Sequence, residues 1–229
     1  MRRVLCVRAG FAGRILLLLL LVPIAAKAAD VNAIVRAVEK RYQTARTLKA
    51  VFLHRYSESR NAFRVESGTV FFSRGGKMRW EYESPEVKLF VADGKMVWFY
   101  VPADRTVTRT KMKESEDWQT PLALLVGRAQ FSRVCGRVEL SDARTAAAEN
   151  VVLRCLPKSG KSGFLEVLIE VDGLDRLVRV LIREPAGVET EFRFGNWQEN
   201  LPLADTLFRF VAPPGVAIVD EASLAGPPR

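Results

Sequence analysis

A single histidine, His54, stands among 229 residues. Any Ser-His-Asp or Cys-His arrangement would have to use it, and a multi-histidine zinc site cannot be built. His54 lies in an alternating, strand-like run, where an imidazole reads as a hydrogen-bonded structural group. The tripeptide "GKS" at Gly160–Ser162 resembles the end of a phosphate-binding loop. That motif needs its first glycine where this chain has Cys155, and a helix to follow. Here the tripeptide joins two strand-like runs and reads as a turn. Glu114, Glu116 and Asp117 form an acidic run ahead of an apolar stretch, which suits a helix N-terminus. A carboxylate pair for glycoside hydrolysis would have to come from 26 acids, and no motif singles out two of them. The residues with reactive chemistry point away from an enzyme, and no cofactor or metal is expected.

The N-terminus explains part of the charge. "MRRVLCVRAGFAGR" carries four arginines and no acid, an apolar core of 12 residues follows, and Ala26-Lys27-Ala28 supplies small residues at peptidase spacing. This order is that of a secretory signal peptide, residues 1–28, cleaved after Ala28. A spanning helix needs about 20 apolar residues, more than this core offers. Removing the leader lowers the formal charge from +9 to +4, too little to suggest nucleic acid as a partner. It also removes Cys6. Cys135 and Cys155 remain, in "RVCGRVEL" and "NVVLRCLP", and an oxidising compartment favours a disulfide between them.

The elements follow from periodicity. Asp30 caps an amphipathic helix over 31–46, with Val31, Ile34, Val35, Val38 and Tyr42 at helical spacing. From Leu48 the period becomes two, giving strands at 48–57, 63–73, 78–83, 87–92, 95–101 and 105–112, with a tight Asp93-Gly94 hairpin. Thr120 and Pro121 open a short apolar helix, 121–126, closed by Gly127. Strands resume at 133–140, 150–156, 164–172, 177–184, 188–197 and 207–212. The late strands alternate apolar and polar, as one-side-wet antiparallel strands do. The early ones are apolar on both faces: in 95–101, Val97, Phe99 and Val101 oppose Met96, Trp98 and Tyr100. Many short strands and two helices predict a mainly β fold, a curved sheet or open barrel with helices over its concave side.

The run "GTVFFSRGGKMRWEYESPEVKLFVADGKMVWFYVP" resembles the LolA family of periplasmic lipoprotein carriers. "TPLALLVGR" is similar to the helix that follows in that family, and "FRFVAPPGVAIVDE" to its C-terminal strand and turn. The resemblance spans residues 30–221, within a carrier domain over 29–221 and ahead of a flexible tail, 222–229. It implies a half-open, strongly curved antiparallel β-barrel of about eleven strands whose concave face is covered by helices. It further implies a monomer that takes acylated lipoprotein from an inner-membrane releasing transporter and passes it to an outer-membrane acceptor. Met78, Trp80 and Tyr82 fall on family positions lining the acyl-chain cavity. Strand parity and the opening hairpin add Val70, Phe72, Phe90 and Trp98. The lid would be the helix 121–126, with Leu122, Leu124 and Leu125, and Arg74 its latch through carbonyl hydrogen bonds. Two departures stand out: Gly75 replaces the usual proline after that arginine, and the Cys135/Cys155 pair is not a general family feature. Other readings are a lipid or glycolipid carrier of this fold, a lipid sensor of the same shape, and a small exported hydrolase.

Overall fold

Asp30 accepts a hydrogen bond from the Asn32 amide at 2.9 Å and so starts α1, Val31–Thr44, at the position expected for its cap. The computed structural model describes residues 30–59, 62–112, 130–158 and 163–220. The expected leader, the helix 121–126 and the tail 222–229 lie outside them. After α1 come β1 (Thr47–Ser59), β2 (Ala62–Ser73), β3 (Lys77–Ser84), β4 (Lys88–Asp93), β5 (Met96–Val101) and β6 (Thr106–Lys111). A short helix, α2 (Phe131–Val134), leads into β7 (Cys135–Ser141), β8 (Val151–Pro157), β9 (Glu166–Val171), β10 (Leu177–Arg183), β11 (Glu189–Glu199) and β12 (Ala217–Asp220).

All twelve strands form one open curved sheet, in the order β12-β6-β5-β4-β3-β2-β1-β11-β10-β9-β8-β7. Neighbours pair antiparallel except β12, which runs parallel to β6, from Ala217 beside Thr106 to Asp220 beside Arg109. The twelfth strand is therefore not 207–212 but Ala217–Asp220. Residues 205–210 instead make a 3-10 turn, Asp205–Phe208, and run across the outer face of β3, β4 and β5. Polar contacts tie this crossing to β3: Lys77 pairs with Asp205 at 2.9 Å and Arg79 donates to the Leu207 carbonyl at 3.2 Å.

The crossing segment explains the aromatics on both faces of β5. Val97 and Phe99 point toward the core beneath α1, while Trp98 and Tyr100 face Phe210 at 6.3 and 5.7 Å. Phe208, Val91 and Val107 are buried on that outer side.

α1 covers the inner face near β10 and β11. Tyr42 packs edge-on against Trp197 at 6.0 Å, and its hydroxyl accepts from the Leu177 amide at 2.9 Å. Arg41 donates to the Leu174 carbonyl and pairs with Glu199. At the opposite rim, Glu39 accepts from the Phe131 amide at 2.7 Å, and Cys135 is disulfide-bonded to Cys155.

Candidate functional site

The inner face is built row by row through strand register. One row runs Ala50, Val70, Trp80, Phe90, Phe99, and the next runs Leu48, Phe72, Met78, Ala92, Val97. Val70, Phe72, Met78, Trp80, Tyr82 and Phe90 are all buried on this face and belong to one apolar cluster with Val38 and Tyr42 of α1. Trp80 sits at its centre, with Phe52, Phe72 and Phe192 around it at 4.9, 5.8 and 5.5 Å, each roughly edge to face. That geometry sets the positive ring edge against the negative ring face.

Gly68 makes the third row possible. It lies between Phe52 and Tyr82 in register, and a Cβ there would come within 1.8 Å of the Glu81 carbonyl. Without a side chain at this point, the Phe52 and Tyr82 rings meet directly at 4.9 Å.

Three wall residues, Phe52, Phe192 and Phe194, were absent from the sequence-derived set. Their signal was present as alternation in "VFLHRY" and "EFRFGNW". Placing them beside Trp80 requires knowing that β1 pairs with β11 as well as β2, a contact between the two ends of the chain.

Trp98 stands elsewhere, while Arg74 is seen against the first helix. Trp98 pairs with Val91 and stacks on Phe210, so it faces away from Trp80 and leaves the cavity set; Val97 and Phe99 occupy that strand's inner positions. Arg74 is bonded to α1. Its Nη2 donates to the Thr44 carbonyl at 2.7 Å and its Nε to the Ala45 carbonyl at 3.4 Å. The last carbonyls of a helix lack intrahelical partners and carry its negative end, so a guanidinium fork suits them. Leu122, Leu124 and Leu125, the expected partners of Arg74, lie outside the described residues. The turn after Arg74 is made by Gly75 and Gly76 at φ +82° and +80°. Proline, fixed at a φ of about −65°, could not serve there.

His54 was expected to be hydrogen-bonded. It is 1% exposed and lies flat on Phe192 at 4.3 Å, yet neither ring nitrogen meets hydrogen-bond geometry. Its Nδ1 stands 3.4 Å from a Glu66 carboxylate oxygen, and Lys88 donates to the other at 2.7 Å. Burial alone would raise the Glu66 carboxyl, but His54 and Lys88 outweigh it and hold the group below its ordinary range. Burial, then the Glu66 charge, pushes the Tyr82 hydroxyl well up. No cluster of three or more metal-ligating side chains occurs among the described residues.

Where α1 ends against the wall, at Tyr42, Leu48, Phe72 and Arg74, the free space is about 10 Å³. That is room for about one water. The wall side chains rest on one another there, so a guest reaching that end must part the rings or lift the helix.

The fold and the sequence both have counterparts among known proteins. A crystal structure of an uncharacterized conserved protein from Thermus thermophilus superposes with a TM-score of 0.52 at 15% identity, covering 83% of this chain and 98% of that one. At that identity the likeness shows the fold alone. An outer-membrane lipoprotein carrier protein of Nitrosospira multiformis is 31% identical over 78% of this chain and 84% of its own. One of Dechloromonas aromatica is 34% identical over 77% of this chain and 82% of its own. The model of the family described as outer membrane lipoprotein carrier protein LolA matches residues 43–211, a span that holds the whole aromatic wall. This chain belongs to the LolA family.

Proposed function

We propose that this chain is an exported, non-enzymatic carrier that takes up the acyl chains of lipoproteins between the aromatic wall and its helical cover. It then shuttles them through the periplasm from the inner to the outer membrane. One observation carries the reading: a continuous buried wall, from Phe52 through Val70, Trp80 and Phe90 to Phe192, lies under a helix whose C-terminal carbonyls are held by the Arg74 side chain. Family membership, with relatives named as outer-membrane lipoprotein carriers, supports it. Each CH₂ moved from water onto such a wall gains about 0.8 kcal/mol. Re-closing ring and helix contacts offsets part of that gain, which gives the cargo a way out. Residues 1–28 act as the leader, and 121–126 as a second, apolar part of the cover.

The test is organic extraction and mass spectrometry of protein purified from the compartment to which it is exported. An acylated peptide is the expected find, lost in Trp80→Ala. A free lipid or glycolipid instead would favour the general lipid carrier or sensor. Turnover of esters or glycosides by the pure protein would overturn the reading.

A further inference from the structure

Buried polar atoms nearly always have hydrogen-bond partners, so exceptions call for a reason. Three gather at the end of the wall remote from Arg74: the Tyr82 hydroxyl and both ring nitrogens of His54, none hydrogen-bonded by a protein group. Both residues are 1% exposed, and their rings lie 6.3 Å apart on the inner face. Phenylalanine occupies the adjoining positions Phe52 and Phe192. It would pack as well at both sites, so shape alone does not ask for a hydroxyl or an imidazole. Glu66 satisfies neither the Tyr82 hydroxyl nor His54 Nε2. Its carboxylate is engaged by Lys88 at 2.7 Å and stands 3.4 Å from His54 Nδ1, outside hydrogen-bond geometry. The Lys88–Glu66 pair is charge-compensated, so this end of the wall does not favour an ionic guest. A carboxylate beside Nδ1 favours the ring proton there, leaving His54 Nε2 as an acceptor and Tyr82 as a hydroxyl donor.

We propose that His54 and Tyr82 form a polar subsite for the neutral carbonyl linkage at the head of a fatty acyl chain lying on the wall, a secondary amide ahead of an ester. The assignment rests on the carrier reading and adds what that reading lacks, a way to tell an acyl chain from plain hydrocarbon. The carbonyl oxygen accepts from the Tyr82 hydroxyl, and an amide N–H donates to His54 Nε2. An ester offers only the first contact and an alkane offers neither.

Displacement of a bound naphthylamine dye by N-methyldodecanamide, methyl dodecanoate and tridecane reads the subsite. Tridecane leaves water most readily of the three, so the subsite is read from how each variant changes the affinity of each compound, by about fivefold to tenfold for one net hydrogen bond lost. Tyr82→Phe keeps the ring and removes only the hydroxyl. It should bind tridecane as before and both carbonyl compounds about fivefold to tenfold more weakly, by the same reckoning. His54→Leu should weaken the amide alone. Since the hydroxyl has no partner, Tyr82→Phe should unfold at or above the wild-type temperature, which separates a binding loss from a folding defect. A His54→Leu variant that weakens tridecane as much as the amide overturns the subsite and leaves the carrier reading standing. So does a Tyr82→Phe variant that weakens all three alike, or one that leaves the amide unchanged and so assigns the three atoms to buried water. Failure of all three compounds to displace the dye would overturn the carrier reading itself.

Discussion

The two halves of the sheet share one inner face but are built on different principles. In β1–β5 that face is aromatic: Phe52, Phe72, Trp80 and Tyr82 meet edge to face, and Phe90 and Phe99 lie on the same face. In β8–β10 it is aliphatic: Leu153, Val167, Ile169, Val180 and Ile182, all buried. The outer faces differ as well. Behind β4–β6 the crossing segment buries Val91, Val107 and Phe208. Behind β8–β11 run two rows of alternating charge, Glu191–Arg179–Glu170 and Glu189–Arg183–Glu166–Arg154–Glu139, flanking a small patch of Val152, Leu168 and Leu181. β-branched side chains have few rotamers and cross-linked charges fix register, so the second half is a frame. Flat rings meeting at their edges can part by turning, and the unsatisfied polar atoms lie among them. The half proposed to admit a guest is the half without the charge rows and the disulfide.

Truncating one residue in each half is the strongest way to break this contrast. Trp80→Ala should lower stability by about 3–5 kcal/mol and abolish lipid retention. Ile169→Ala, in the frame, should lower stability by about 2–5 kcal/mol yet leave retention intact at temperatures where the variant is folded. Denaturant unfolding and lipid extraction on both variants check it, and equal loss of lipid would erase the distinction. Next in size is the Cys135–Cys155 bridge, which joins residues 20 apart in sequence. Replacing both cysteines with serine should lower stability by about 3 kcal/mol, as for other loops of that order. Dye binding should persist, because the bridge ties β7 to β8 at the edge of the sheet, outside the strands that carry the aromatic wall.

Acid sharpens the same comparison, because each half holds a glutamate below the ordinary 4.5: Glu66 beside His54 and Lys88, Glu166 beside Arg154 and Arg183. Burial acts against both, and their hydrogen-bonding partners win. A carboxyl depressed in the folded state contributes stability that is full above its unfolded value and is lost as pH falls through the folded one. Stability should therefore decline below about pH 4.5. Glu166→Gln should lower stability at neutral pH and flatten that decline, with ring-dependent dye binding unchanged. An unaltered acid limb would show that Glu166 does not tie the charge row.

Much of this architecture is legible from alternation alone. The helix from Asp30, the Asp93-Gly94 hairpin and the two-faced character of β5 each follow from local spacing. What alternation cannot supply is which face is the inner one. Trp98 and Phe99 carry equivalent signals, and only the distant Phe210, arriving across the outer surface, decides between them. The same limit hid Phe192 and Phe194, whose place beside Trp80 is set by the β1–β11 pairing. Residues 207–212 read as a strand because "LFRFVA" alternates. In the fold Phe208 is buried and Phe210 half-buried against the outer face, and pairing waits until Ala217, after Pro213, Pro214 and Gly215.

Arg74 ties the end of β2 to the end of α1, and the smallest stability change should come with a large functional one. Its guanidinium holds the Thr44 and Ala45 carbonyls from an exposed position, an arrangement worth about 0.3–1 kcal/mol at a helix C-terminus. Arg74→Leu should therefore shift the unfolding midpoint only slightly. It also frees the end of α1 that closes over Leu48 and Phe72, so transfer of lipoprotein between donor and acceptor membranes should fall well beyond what the stability change accounts for. Arg74→Lys separates charge from shape: an ammonium still faces the helix's negative end but cannot reach two carbonyls through one planar fork. Transfer restored by lysine would make the contact one of charge. Transfer lost in both variants would make it one of geometry, with the fork fixing the hinge about which the helix lifts. Wild-type transfer in Arg74→Leu would leave α1 a fixed part of the frame, and the cover would then have to be sought in residues 121–126.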